Sequence, residues 1–325
     1  MPTSDLPLSD EQRRAVALAA GGSDGAIVAR AGSGKTYTLR ASALATDGVP
    51  SMLLAFNRVI AREAATRFPA HVRCTTLHAL AHRSVVGRDP RMRRKFEASH
   101  RWTPDAACDA VGLDPRDPDR LTHLAAIRAT LRGFCASDDD APHPGHLPSS
   151  LFRHWTATLG DARARDRRTW VVRRAGRFWA RTIDPDDPVP LDHDAYLKAF
   201  ALGGDPLPVE RLWVDEAQDL APVMLQIVRR QSASRLLVGD PAQRIYGWRG
   251  AIDAMAASGY PEVRLTRSFR FGPQIAATAL RVLQVLSPNA RLVGAGPEGT
   301  VRNDPVAGAA SEASPTSHAA PAGAD

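Results

Sequence analysis

The sequence predicts an α/β fold built on a parallel sheet, and three observations carry that expectation. Short apolar segments recur at 26–29, 52–56, 212–214, 236–238 and 263–265, with helix-like patterns between several of them. The first runs into a glycine-rich loop, Ala29-Arg-Ala-Gly-Ser-Gly-Lys-Thr36, and then into a helix-like stretch at 37–44. The third ends in two adjacent acids, Asp215 and Glu216.

Strand, glycine loop and helix in that order form the setting in which a phosphate-binding loop works. Gly32 and Gly34 let backbone N–H groups turn inward onto an oxyanion, and the helix N-terminus adds a positive dipole. Ala31, Gly32, Ser33, Gly34, Lys35 and Thr36 are thus the candidate phosphate site, with Lys35 for the outer phosphates and Thr36 for Mg²⁺. Ala29 stands where the usual pattern has its first glycine. In Leu212-Trp-Val-Asp-Glu-Ala-Gln-Asp219, Asp215 at the strand end is suited to bind Mg²⁺ and Glu216 to activate water for attack on a γ-phosphate. After the strand at 236–238, Gln243 is expected to sense that phosphate. Tyr246, Trp248 and Arg249 then interleave aromatics with a cation, a pattern suited to stacking on unpaired bases, and Gly247 and Gly250 indicate a surface loop.

Composition sets the outer bounds. The chain has 325 residues, 44% of them hydrophobic, enough for one large or two medium domains with a proper core. Lys+Arg is 42 against Asp+Glu 35, and only Lys35, Lys95 and Lys198 are lysine. The basic balance suits a nucleic-acid partner but is weak evidence alone, since a GC-rich genome also gives an excess of arginine, alanine and proline. The three cysteines, Cys74, Cys108 and Cys135, lack metal or redox spacing, which leads us to expect a reduced, cytoplasmic setting. No secretory leader and no membrane-spanning run is expected.

The sheet signal stops between about residues 88 and 205, where helix starts are expected near Pro104, Pro118, Ser149 and Arg168, with loops at 137–148 and 184–190. The expected organisation is a first domain at 1–90 and 205–265, a helical insert at 91–204, the start of a second domain at 266–302, and a disordered tail at 303–325. Eight arginines between Arg163 and Arg181 have two readings of equal weight, a DNA-backbone patch or a solvated helix face.

Asp-Glu-Ala-Gln-Asp followed by Gly-Asp-x-x-Gln-x-Ile-Tyr-x-Trp-Arg-Gly-Ala resembles the superfamily 1 DNA helicases of the UvrD/Rep type, in wording closest to the F-box DNA helicase branch. Leu8-Ser-Asp-Glu-Gln-Arg-Arg-Ala-Val16 resembles their glutamine motif, implying that Gln12 reads adenine; Ser9 and Gln12 equally fit a helix capping box. Leu54-Ala-Phe-Asn-Arg-Val-Ile-Ala-Arg-Glu63 resembles motif Ia and Cys74-Thr-Thr-Leu-His-Ala-Leu80 motif Ib, implying DNA contacts at Phe56, Asn57 and His78. Phe56 stands one place from the aromatic of the commoner UvrD pattern. A lone histidine such as His78 is as readily structural. Leu265-Thr-Arg-Ser-Phe-Arg-Phe-Gly-Pro273 resembles motif IV, implying that Arg270 contacts the γ-phosphate and Phe269 stacks on the nucleotide base.

The resemblance implies two RecA-like domains with ATP and Mg²⁺ between them, and single-stranded DNA or a single/double-strand junction as partner. It covers about residues 6–300, the insert by position only. No block here resembles motif V or motif VI, so the chain is expected to be a helicase front half. A translocating stroke needs two domains that close on ATP. Two expectations follow: a DNA-dependent ATPase and helicase, with DNA repair as a role by analogy, or an ATP-dependent single-strand-binding module or split or degenerate half without effective turnover. In the split case a separate chain supplies the second domain.

Overall fold

The computed structural model describes residues 7–99, 102–244 and 254–301. The chain begins with α1 (Asp10–Ala20), β1 (Gly25–Ala29), α2 (Lys35–Ala45), β2 (Ser51–Leu54), α3 (Arg58–Arg67) and β3 (Val72–Thr75). A short α4 (Leu77–Ala81) continues into one π-helical turn at His82–Val86. Helices alone follow: α5 (Pro90–Ala98), α6 (Pro104–Ala110), α7 (Arg120–Ala136), α8 (Ser149–Leu159), α9 (Asp161–Ile183) and α10 (His193–Gly203). The sheet resumes with β4 (Arg211–Val214), α11 (Pro222–Arg229), β5 (Ser234–Gly239), α12 (Ala254–Ser258) and β6 (Glu262–Leu265). A small unit closes the described chain: β7 (Arg267–Ser268), α13 (Pro273–Leu286) and β8 (Val293–Gly294).

The main sheet has six strands in the order β3-β2-β4-β5-β1-β6, all parallel. This is the expected α/β class, an open parallel sheet of RecA-like type. Such a sheet must be covered on both faces, and the alternation of its side chains shows how. Met52, Leu54, Leu212, Val214 and Leu237 face one core, which they share with Phe134, Tyr196 and Phe200 of the helical region. Leu53, Trp213, Leu236, Val238 and Ile27 face the other, under α1 and α2. A third core of Ile127, Trp155, Val171 and Phe178 belongs to the helical region itself. The sheet is therefore fixed in place by the helices that interrupt it in sequence.

Two of the three lysines are structural pins. Lys198 is fully buried; its ammonium donates to the carbonyls of Ser137 (2.8 Å) and Asp139 (2.6 Å) and lies 4.5 Å from the centre of the Phe134 ring. Lys95 donates to the carbonyls of Arg181 (2.9 Å) and Asp187 (2.8 Å). Burial pushes both ammonium groups below the usual lysine range, while the carbonyls satisfy the charged form. Each pin anchors one of the two loops expected from sequence.

Several elements depart from the sequence expectation. The segment at 52–56 is a strand only to Leu54, because Asn57 turns the chain by capping α3, its Oδ1 accepting the Ile60 N–H at 2.9 Å. Phe56 therefore lies in the turn. β3 was not expected at all: Val72-Arg-Cys-Thr is short and polar because it forms an edge, with Val72 and Thr75 buried and Arg73 exposed. α9 starts at Asp161, not near Arg168, since Gly160 at φ 80° separates it from α8. α7 begins at Arg120, two residues past Pro118. The eight arginines of the 163–181 segment divide in their surroundings. Arg163, Arg165, Arg173 and Arg177 are exposed, while Arg167 lies over Trp155, Arg168 over Phe152 and Arg174 over Trp170. Arg181 binds Asp187.

Candidate functional site

The site sits at the C-terminal ends of β1, β4 and β5, neighbours in the middle of the sheet. Gly32 (φ 74°) and Gly34 (φ 83°) take left-handed backbone that side chains resist. Space forbids a side chain as well. A Cβ on Gly32 would come 2.6 Å from Ser268 Oγ and 2.5 Å from Arg270 Cβ, and one on Gly34 would come 2.9 Å from Gln12 Nε2. Lys35 and Thr36 open α2, so their N–H groups belong to a first turn without helical acceptors, and no side chain caps it. Thr36 is exposed there, and Ala31 is half-buried in the loop. Ser33 is buried with its Oγ lacking a hydrogen-bond partner among the described residues. Bare glycines, first-turn N–H groups, a cation and an orphaned hydroxyl fit a phosphate group.

Gln12 is buried, and the expected capping box is present. Its Oε1 accepts the Ser9 N–H at 2.9 Å, completing the capping box, while its Nε2 donates to the Ser33 carbonyl at 3.2 Å. The glutamine thus ties α1 to the glycine loop. The motif IV segment docks on the same loop: Phe269 N–H donates to the Gly32 carbonyl at 2.8 Å, and Arg270 and Phe269 are exposed beside it.

Across from the loop, Lys35 Nζ donates to both oxygens of Glu216, at 2.8 and 2.7 Å. Glu216 (φ 53°) is the only non-glycine among the described residues with left-handed backbone, a conformation that costs on the order of 1–3 kcal/mol. That twist at the end of β4 turns its carboxylate toward Lys35. Asp215 is half-buried; burial first, then the Glu216 charge, push its carboxyl up to about 6, against the pull of Lys35. A cation bound here would relieve that cost. Asp215 and Thr36 are therefore chemically suited to hold a divalent metal.

Sequence reasoning missed the residues that link these parts. Gln218 is buried; its Nε2 donates to Glu216 Oε2 at 2.8 Å and its Oε1 accepts the Asp240 N–H at 3.1 Å. The Asp240 carboxylate in turn accepts from Arg30 (3.0 Å) and from Gln243 Nε2 (2.8 Å). Gln243 is exposed on the turn after β5, held by Asp240. Gln218 and Asp240 lie inside quoted motifs, yet spacing along a loop does not reveal where a side chain points.

A cleft of about 830 Å³ runs from this site between the sheet and the helical region; Phe56, Thr76, His78, Arg132, Asp215 and Glu216 are among its walls. Phe56 is exposed and His78 half-buried with its imidazole edge-on to Tyr196. Burial, as the largest cause, holds His78 below the usual histidine range. Asn57 lies beside Phe56 with its side-chain oxygen spent on the helix cap. Tyr246, Trp248 and Arg249 lie outside the described residues.

Among the described residues, Asp139, His143 and His146 also come close enough to hold a metal. Their hydrogen bonds argue otherwise. Each Nδ1 accepts a backbone N–H, His143 from Gly145 and His146 from His143, so each ring proton sits on Nε2 and faces Asp139 at 3.0 and 2.9 Å. A ligating histidine needs the reverse, with the far nitrogen donating. This knot closes a loop.

A parallel sheet with a phosphate-type glycine loop after one strand and an Asp-Glu pair after another defines a P-loop nucleotide-binding domain of the RecA-like class. The family described as AAA domain matches residues 12–249, and the chain belongs to it, among the helicase-like domains of superfamily 1. Similar proteins include F-box DNA helicase 1 of Gallus gallus, 32% identical over 287 residues, which are 85% of this chain and 28% of that protein. F-box DNA helicase protein 1 of Schizosaccharomyces pombe is 28% identical over 286 residues, 82% of this chain and 32% of that protein. The chain thus spans under a third of the length of either relative.

Proposed function

We propose that this chain is the nucleotide-binding portion of a UvrD-type, DNA-dependent ATPase and helicase, using ATP and Mg²⁺. The observation that carries the reading is the Lys35–Glu216 pair, set between a phosphate-shaped loop and the docked motif IV segment. Lys35 exchanges Glu216 for the outer phosphates, and Glu216, released, accepts a proton from the attacking water. Asp215 and Thr36 would hold Mg²⁺, which would supply charge neutralisation on the phosphates. Gln12 lies beside the loop for adenine, Phe269 for the base face, and Gln243 and Arg270 for the γ-phosphate. Single-stranded DNA, or a single/double-strand junction, takes the cleft past Phe56, Asn57 and His78, with Tyr246, Trp248 and Arg249 as further contacts. DNA repair in the cytoplasm is the setting we infer.

Steady-state ATP hydrolysis tests the catalytic assignment. Glu216→Gln should bind ATP yet hydrolyse it about 10²–10⁴-fold more slowly; a variant as active as the parent would remove Glu216 from the mechanism.

A second reading is favoured by β7–α13–β8. Its ladder is two residues per strand, and Val282, Val285 and Val293 on and beside α13 are exposed. In that reading the unit is the start of a second RecA-like domain completed by a separate chain, and alone the protein binds single strands under ATP control without effective turnover. ATP-sensitive DNA binding with hydrolysis at background supports it; robust turnover removes it.

A further inference from the structure

We infer that Gln218 is a positioning residue that couples the base Glu216 to the turn carrying Gln243, an inference that rests on the nucleotide-hydrolysing reading above. Gln218 is 2% exposed, and its amide spans two strand ends. One end donates to Glu216 Oε2 at 2.8 Å; the other accepts the backbone N–H of Asp240 at 3.1 Å. Asp240 then holds Gln243 at 2.8 Å and Arg30, of the glycine loop, at 3.0 Å. A single side chain therefore joins the acidic end of β4 to the end of β5 and, through Asp240, to the phosphate loop.

The fold packs Gly239 directly against this side chain. A Cβ on Gly239 would fall 2.1 Å from Gln218 Oε1. Gly239 does not take positive φ, so its backbone conformation permits alanine; the added Cβ would displace the Gln218 oxygen and press the Ala217 and Gln218 backbone nitrogens at 3.2 Å. Two different substitutions thus break one contact.

The consequence follows from counting donors. Glu216 is held by Lys35 and by Gln218. Once Lys35 turns to phosphate, Gln218 is the remaining side-chain donor of this pair that fixes where the carboxylate sits. A misplaced base loses rate without losing ligand: displacement by about 1 Å costs on the order of 100-fold. The same bridge carries a shift of Glu216 to Asp240 and so to the turn before residues 245–253, where the candidate DNA contacts lie in sequence.

The experiment compares the full chain with Gln218→Ala and Gly239→Ala, using ATP turnover with and without single-stranded DNA, affinity for a non-hydrolysable ATP analogue, and hydrogen exchange of the 236–244 segment. Both variants should keep analogue affinity within about threefold, because phosphate is held by the loop. Both should lose about 100-fold in kcat with KM little changed. In the parent the analogue should alter exchange of the 236–244 segment, and in both variants that response should disappear. Parent-like kcat together with a parent-like exchange response in either variant overturns the inference, as does a loss of analogue affinity equal to the loss of rate. If the parent itself has no turnover, the hydrolytic reading fails, and the exchange response alone decides: retained in the variants, it overturns the coupling; lost, it upholds it.

Discussion

Asp215 shows how one residue sets a pH dependence. Its carboxyl, pushed up to about 6 by burial and by Glu216, favours the protonated form in the fold. The stability that this group contributes is full below the ordinary aspartate value and is lost as pH rises through about 6. Asp215→Asn should therefore match the parent in unfolding free energy near pH 4 and exceed it by about 1–2 kcal/mol at pH 7, read by denaturant titration. Mg²⁺-dependent nucleotide affinity of the parent should fall as pH drops through 6, because a protonated Asp215 is a poor ligand. An affinity flat between pH 5 and 7 would contradict this. At this scale the sequence located Lys35, Asp215 and Glu216, because strand-end acids and a Gly-Lys-Thr loop are rigidly tied to secondary structure. Gln218, Asp240 and Arg30 stayed hidden, because their roles depend on side-chain direction across strands distant in sequence. Asn57 was legible as part of a motif, yet the structure spends its oxygen on the α3 cap.

The glycine loop and its supports behave as one element. Gln12, Gly32, Gly34 and Ser268 meet there, so the loop is shaped by α1 and by the segment at β7 as much as by its own sequence. Gly34→Ala should lose about 1–2 kcal/mol from left-handed strain alone and should weaken ATP binding further by displacing the Gln12 amide; denaturant unfolding and nucleotide titration check the two losses separately. Lys198→Ala, far from the site, should destabilise by about 2–4 kcal/mol by leaving two buried carbonyls unpaired while sparing nucleotide affinity. The strands at 26–29, 212–214 and 236–238 were legible as apolar runs, and 263–265 from Val263 and Leu265 on either side of the exposed Arg264. β3 was not, since an edge strand carries polar residues, and the start of α9 was hidden by Asp161-Ala-Arg-Ala-Arg-Asp-Arg-Arg168, where Ala164 is the one residue buried in the core.

At the scale of the molecule, the helical region does two things. Through Phe134, Tyr196 and Phe200 it supplies one of the two covers of the sheet, and with the sheet it walls the cleft that runs to Asp215 and Glu216. Sequence reasoning saw the region as an interruption; its part in the main core was invisible because the contacts join residues far apart in the chain. Its arginine-rich helix divides its charges between solvent and aromatic stacking, so its basic character overstates the free positive surface. The central claim is that Lys35 and Glu216 form the working pair of a DNA-dependent ATPase. It is tested most directly by ATP hydrolysis of the purified chain, with and without single-stranded DNA, beside Lys35→Ala. The account predicts turnover that rises with DNA and vanishes in Lys35→Ala. Hydrolysis that ignores the substitution, or a chain whose ATP binding is the same with and without Lys35, would contradict it.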